Sequence, residues 1–313
     1  MTNPPTEFDS PWKEIIQQYF TEFIQFFFPQ AYREIDWNQG FEFLDQELQQ
    51  VVRDAELGKR LVDKLVKIYR SGQEAWVLIH IELQSQEETD FTERMFVYNY
   101  RIYDKYRKPV ASLAILGDER ENWRQNQFGY QLFGCRVDFQ FPVVKLLDYS
   151  QQLSALETNR NPFATVVMAH LAALQTRNDR IERKERKLAL IKRLYEFGFE
   201  REDIINLFSF IDWLMTLPEE LQQEFQQQLH EYEEEKRMPY VTSVERSAIL
   251  RTELKGLLEA IELGLELKFG SESLTLLPEI STIKDVEKLR AIISGIKTVK
   301  TLEELQQIYH EWI

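Results

Sequence analysis

Between Leu61 and Gln86 the chain runs LVDKLVKIYRSGQEAWVLIHIELQSQ, with apolar residues recurring at every second position. In the later half Val77, Ile79, Ile81 and Leu83 fall on one side, and His80, Glu82, Gln84 and Gln86 on the other. Period two is the repeat of a β-strand whose two faces meet different surroundings. The earlier half puts Val62, Val66 and Ile68 on one side and Asp63, Leu65, Lys67 and Tyr69 on the opposite one. The pattern predicts two antiparallel strands about a tight turn. A turn centred between Gly72 and Gln73 pairs position 63 with position 82, since both pairs of numbers sum to 145. Asp63 would then face Glu82 across the ladder, close enough for the two carboxylates to hold one metal ion.

Elsewhere the apolar period is that of a helix. Residues 11–28 predict one helix ended by Pro29, and the Phe26-Phe27-Phe28 run packs it against the domain. A second helix is predicted between Gly40 and Val52, with Glu47 standing among apolar neighbours. Residues 90–107 predict a third. Met95, Asn99, Ile102 and Tyr106 mark one of its stripes; Arg94, Tyr98, Arg101, Lys105 and then Lys108 mark another. The second stripe suits contact with phosphates, and a solvated charged face explains it equally well. PVASLAILGD, 109–118, reads as a third strand, a polar and aromatic loop follows, and CRVDFQFPVVKLLDY supplies at least one more strand.

From Asn161 onward the periods are helical. They include the basic RIERKERKLALIKRLYEFG helix stopped at Gly198, whose run Arg177–Lys187 reads as a charged helix face or a phosphate contact. The tail from 241 is amphipathic and either folds back on the chain or pairs with a second copy. The expected organisation is an α/β domain over 1–150, a helical region over 151–240 and a helical, possible homo-oligomer-forming tail over 241–313.

Composition narrows the classes. Hydrophobic residues make up 43% of 313 and aromatics 13%, which suits a globular chain, and only 11 Gly and 10 Pro suit long elements with few loops. The single cysteine, Cys135, excludes an internal disulfide framework and reads as a small buried hydrophobe. No signal segment opens the chain and no run approaches the roughly 18 apolar residues of a membrane span, so the expectation is a cytoplasmic protein with no membrane partner. The net charge of −14 argues against a broad nucleic-acid footprint and requires any DNA contact to be a local basic patch. There is no P-loop, no G-x-G-x-x-G and no zinc-ligand spacing; His80, His170, His230 and His310 are dispersed.

Paired strand carboxylates suit phosphodiester hydrolysis, which needs an activated water and neutralisation of charge on the phosphate. Mg²⁺ takes oxygen ligands and uses one or two protein carboxylates. Asp63 and Glu82 supply that minimum, and the backbone carbonyl of Leu83 is a third possible ligand. Gln84 projects on the Glu82 side, about 7 Å along the strand, where it can orient water without acting as a base.

The segments FLDQELQQV, VDKLVKIYRSGQEAWVLIHIELQSQ and FTERMFVYNYRIYDKY, with PVASLAILGDER and FGCRVDFQFPVVKLLDY after them, resemble the recombination-promoting nuclease and putative transposase family of the PD-(D/E)XK superfamily, especially its cyanobacterial members. FIDWLMTLPEEL and the LKFG-containing tail extend the resemblance over most of the chain. It implies an αβββαβ core, a central mixed sheet flanked by helices, followed by an all-α C-terminal region. It further implies a Mg²⁺-dependent DNA endonuclease, with Mn²⁺ as substitute, linked to recombination or transposition. Asp63 and Glu82 become metal ligands, Glu47 matches an acidic residue of the first core helix, and Gln84 holds the place of the usual lysine. Arg94, Tyr98, Arg101 and Lys105 become the DNA contacts. Glutamine carries no charge, so slow cleavage is expected; Lys67 is a partial stand-in or a plain exposed strand lysine. The alternative is a catalytically weak or inactive nuclease fold serving as a DNA-binding or protein-interaction module.

Overall fold

The computed structural model describes residues 10–54, 62–70, 73–82, 91–283, 285–299 and 301–309. The expected first helix is divided. α1 (Ser10–Gln18) and α2 (Phe20–Phe27) are separated at Tyr19, whose φ of −127° and ψ of 44° leave the helical region. Pro29 does not end the run; it opens α3 (Pro29–Glu34) at the first helical position, where its fixed φ and missing N–H cost nothing.

A short strand β1 (Glu42–Phe43) precedes α4 (Asp45–Asp54), which occupies the expected second helix. β2 (Val62–Arg70) and β3 (Gln73–Glu82) form the expected hairpin. Then come α5 (Phe91–Tyr106), β4 (Val110–Leu116), β5 (Gln127–Leu132), β6 (Cys135–Gln140) and β7 (Val143–Lys145). β5 lies where a loop was expected. The sheet order is β1-β2-β3-β4-β7, antiparallel through β3 and parallel from β3 to β7, while among the described residues β5 and β6 pair only with each other.

The hairpin register differs from the expected one. Arg70 pairs with Gln73 and Asp63 with His80, so partner numbers sum to 143. Two residues separate the strands, the loop length whose twist best matches that of the strands. A sum lower by two moves each partner by two positions, and alternation keeps every residue on its expected face. Position 82 therefore stays on the face of position 63, diagonal to it rather than opposite.

One sheet face carries Leu65, Trp76 and Leu78, all buried against Leu44 just before α4, Leu48 and Val51 of α4, and Tyr98 and Ile102 of α5. Farther along the same face Ala114 and Leu116 pack with Phe91, Met95 and Phe141. The opposite face meets α1, where Lys64 Nζ reaches Gln17 Oε1 at 2.9 Å. Because both faces are covered, Leu65 and Val66 are each fully buried, and the strands are more apolar than one-sided alternation requires.

The helices that follow are α6 (Leu153–Thr158), α7 (Pro162–Gln175), α8 (Arg180–Glu196), α9 (Arg201–Leu214), α10 (Glu219–Lys236), α11 (Val241–Phe269), α12 (Leu277–Ile280), α13 (Val286–Thr298) and α14 (Leu302–Tyr309). Asn161 and Asp179 cap α7 and α8 by accepting from Phe163 N and Glu182 N, each at 2.9 Å. Gly198, at φ 69°, ends α8.

The chain divides into two compact units, 1–232 and 233–313, so the helices following the sheet belong with it. Phe163 of α7 meets Phe23 of α2 at 5.2 Å between ring centroids, an edge contact that ties the two segments. The basic helix α8 turns four of its cations, Arg183, Lys184, Lys187 and Arg193, inward. Lys187 is fully buried, donates to Asp212 at 2.6 Å and lies 4.6 Å over the Phe225 ring, while Arg193 donates to Thr165 and to the carbonyls of Leu156 and Asn159. Lys187, at the end of the predicted basic run, and Arg193 beyond it are braces between helices.

The second unit has its own core of Ile261, Leu265, Ile292, Leu305 and Tyr309, so the amphipathic tail folds back on itself. Buried Glu233 accepts from Val241 N at 2.7 Å and Thr242 N at 3.1 Å, placing a carboxylate at the start of α11. No helix among the described residues is long and apolar enough to cross a membrane.

Candidate active site

The carboxyl ends of β3, β4 and β7 and the start of β2 share one edge of the sheet. Across it the register aligns Asp63, His80, Ala114 and Val143 in one row, and Glu82, Leu116 and Lys145 in the next. In open sheets with parallel strands, the crevice beyond the carboxyl ends is where ligands bind.

Two helices frame this edge. Asp45, in the first turn of α4, is held to Lys64 Nζ at 2.8 Å, next in sequence to position 63. Glu47 is half-buried in the same turn, beside Leu48 of the core. α4 as an element packs on β2, the strand of Asp63. α5 begins at this edge, where Phe91 and Met95 meet Ala114 and Leu116, and runs back along the sheet to Tyr106, 4.8 Å from the Trp76 ring. Arg94 thus belongs to the end of α5 nearest position 82.

The expected phosphate-contact stripe is not one surface. Tyr98 is 1% exposed and packed with Leu65, Leu78 and Ile102, so its ring fills the core. Arg94 and Arg101 are half-buried along the margin of that core and Lys105 is exposed. Residues 94, 98, 101 and 105 share a helical face, and that face flanks the buried one because Phe91, Met95, Tyr98 and Ile102 are its apolar spine. Lys67 is bound to Glu42 of β1, four residues along the strand from Asp63 and so about 13 Å away. Leu83 and Gln84 lie outside the described residues.

Sequence reasoning overlooked a buried polar cluster at the same edge. Lys145 donates to Asp118, just past β4, and their side chains are 1% and 0% exposed. Arg120 N donates to the other Asp118 oxygen at 3.0 Å, and Trp123 lies beneath both cations, its ring 5.1 Å from the Arg120 guanidinium and 5.8 Å from Lys145 Nζ. Burial pulls the Lys145 ammonium below the ordinary lysine range, and Asp118 opposes that pull. Buried His170 of α7 sets Nε2 at 2.7 Å from the Gly117 carbonyl, so that nitrogen carries the hydrogen and donates. Burial lowers its pKa to about 4 against the raising influence of Gly117 and Asp118, leaving the ring neutral near pH 7. The signal was present: Asp118 and Lys145 each close an apolar strand at its carboxyl end.

A cleft of about 720 Å³ elsewhere in this unit is lined by Tyr19, Glu22, Phe26, Tyr149, Arg160 and Asp203, none of them a predicted site residue. Tyr19 donates to Asp203 at 2.7 Å, and burial raises its phenol well above the usual range. Cys135, expected in the interior, is exposed near the β5–β6 turn.

Among the residues whose side chains are described, no three His, Cys, Asp or Glu converge as a metal site. The donors that suit a hard cation are the carboxylate-bearing positions 63 and 82 on one face, with Glu47 on the adjoining helix turn; oxygen ligands of this type fit Mg²⁺. No family model matches the chain, and neither does any curated protein or solved structure.

Proposed function

We propose that the protein is a metal-dependent DNA endonuclease of the PD-(D/E)XK type, with the site at the carboxyl edge of the sheet. The observation that supports this reading most is the β2–β3 register, which keeps Asp63 and Glu82 on one face, diagonal neighbours across a single strand pair. Diagonal positions lie roughly 7–8 Å apart, a span that two carboxylate side chains can close around one ion. Among the described residues helix α4, hairpin β2–β3, helix α5 and parallel β4 follow in the order αββαβ, which has the flanking helices and the parallel return strand of an αβββαβ core but two strands rather than three between the helices.

In this reading Asp63 and Glu82 hold Mg²⁺ or Mn²⁺, with Glu47 and the Leu83 carbonyl completing the oxygen set. The bound ion supplies an acidified water and neutralises the phosphoryl oxygens. Gln84 orients the water by hydrogen bonds. Arg94, at the start of α5, contributes the positive charge closest to the edge on that helix, and Arg101 and Lys105 follow the backbone along it. Tyr98 has no part in binding. Lys145 stands two strands from position 82 in the same row, roughly 10 Å away, and with Asp118 braces the edge.

The test is supercoiled plasmid cleavage with Mg²⁺ or Mn²⁺ against an EDTA control, using wild type, Asp63→Asn and Glu82→Gln. Cleavage by wild type and its loss in both variants is the expected result; equal activity in all three rejects the assignment. A second reading, a nuclease fold that binds DNA or protein without cutting, draws on the engagement of Lys67 by Glu42, which leaves Gln84 without that cationic substitute. It predicts DNA binding with no metal-dependent cleavage.

A further inference from the structure

The hairpin of β5 and β6 spans Gln127–Gln140, and its two strands pair with no other strand. Leu132 pairs with Cys135, so Phe133 and Gly134 alone make the turn, with φ of 48° and 83°. Positive φ at both central residues is the type I′ requirement, which Asn-Gly meets without strain. Glycine meets it here at the second position. Phenylalanine at the first does not, because a bulky residue at positive φ is a true outlier. Its ring is also 99% exposed, and Leu132 and Tyr130 beside it are 60% and 55% exposed. Backbone strain together with full exposure of an aromatic ring has no folding rationale; such strain concentrates at functional positions.

The base of the hairpin is fixed. Phe128 stacks on Phe96 of α5 at 5.1 Å, and Phe139 meets the same ring at 5.7 Å. The apolar tip is therefore carried by the helix that also covers the face of positions 63 and 82. The fourteen residues of the hairpin carry one acid and one base, Asp138 and Arg136, paired with each other at 2.7 Å, so it has no net charge in a chain of −14. A neutral, apolar tip lacks the repulsion that the rest of the chain offers a polyanion.

We propose that this hairpin is a nucleic-acid wedge, with Phe133 entering between adjacent bases of the duplex while Leu132 and Tyr130 rest against the separated step. A two-stranded ribbon fits a DNA groove, and apolar side chains that insert at a base step unstack and kink it. The proposal rests on DNA as the ligand of the neighbouring site, but not on cleavage.

The test uses the full chain and duplex oligonucleotides carrying 2-aminopurine at successive positions, without divalent ions. Wild type raises 2-aminopurine fluorescence at one step. Phe133→Asn, which suits positive φ better than phenylalanine and so preserves the turn, abolishes the rise and weakens binding about tenfold, the worth of one lost stack. Phe133→Trp retains both signals. These signals are read without metal, so a wild type that never cleaves plasmid would remove the catalytic reading and leave the wedge standing. Wild type binding with no fluorescence rise, or Phe133→Asn binding as tightly as wild type, would overturn the wedge. So would no binding to DNA at all, or a Phe133-dependent attachment to anionic vesicles or to a second copy in its place.

Discussion

Lys145, the last residue of β7, donates to Asp118, the second residue beyond β4, in an ion pair closed off from solvent on both sides. The ammonium depends most on this carboxylate, since an isolated ion in that interior has no water to solvate it. Lys145→Met should cost about 3 kcal/mol by taking from the buried Asp118 carboxylate its closest cation and leaving it the Arg120 backbone N–H and the more distant Arg120 guanidinium at 3.5 Å. Adding Asp118→Leu to it should recover most of the loss, because replacing a whole buried pair by apolar groups is close to neutral. Urea denaturation read by tryptophan fluorescence tests this, as five of the six tryptophans fall within residues 1–232. A double variant no more stable than Lys145→Met alone contradicts the pairing.

His170 makes stability depend on acidity. Burial holds its folded-state pKa near 4, below the ordinary 6.5, so between those values the unfolded chain binds a proton that the folded protein refuses. The stability is fully present above pH 6.5 and is lost as pH falls towards 4, on the order of 3 kcal/mol over that window. Asp118 and Lys145, which face the ring, act in opposite directions on it. In His170→Gln the amide can still donate to Gly117 and does not titrate, so the urea midpoint should fall less steeply across the same range. Parallel pH profiles for the two proteins would rule the histidine out as the source.

Tyr98 separates packing from recognition. As a core ring against Leu65, Leu78 and Ile102, its replacement by alanine should cost about 3–5 kcal/mol, as for other large buried aromatics. Tyr98→Phe keeps the ring and should leave DNA affinity at the wild-type level. A binding loss in Tyr98→Phe without a stability loss would restore the hydroxyl to the interface.

The expected elements were legible where hydrophobic period and length agree. β2, α5 and β4 fall within about two residues of their predicted limits because each carries a sustained repeat, and the predicted continuation of β3 to Gln86 lies outside the described residues. β5 was hidden because a strand whose side chains mostly face solvent, as in GYQL, lacks the alternation that burial imposes. The division of the first helix was equally unreadable: Tyr19 is a competent helix residue, and its departure accompanies a hydroxyl contact with Asp203, 184 positions away. Charge misled in the same manner. The α8 cations resemble a phosphate-binding face in sequence, and only the packing of α7, α9 and α10 around them shows that Arg183, Lys187 and Arg193 satisfy interior partners. For the candidate site, the faces of positions 63 and 82 were readable and the pairing was not. Alternation fixes faces, whereas turn length fixes partners.

That distinction has a consequence for the length of the connection between β2 and β3. Arg70 closes on Gln73 with two residues between them. Lengthening the connection by two residues while the pairing slides by two would leave every side chain on its own side and merely slide one carboxylate past the other. Adding one residue with an equal slide would carry Glu82 and Leu78 to the α1 side while Asp63 and Leu65 stayed beneath α4 and α5. The turn between the strands is therefore a parity element: in even steps it adjusts the span between two acids, and in odd steps it dismantles the site and the core together.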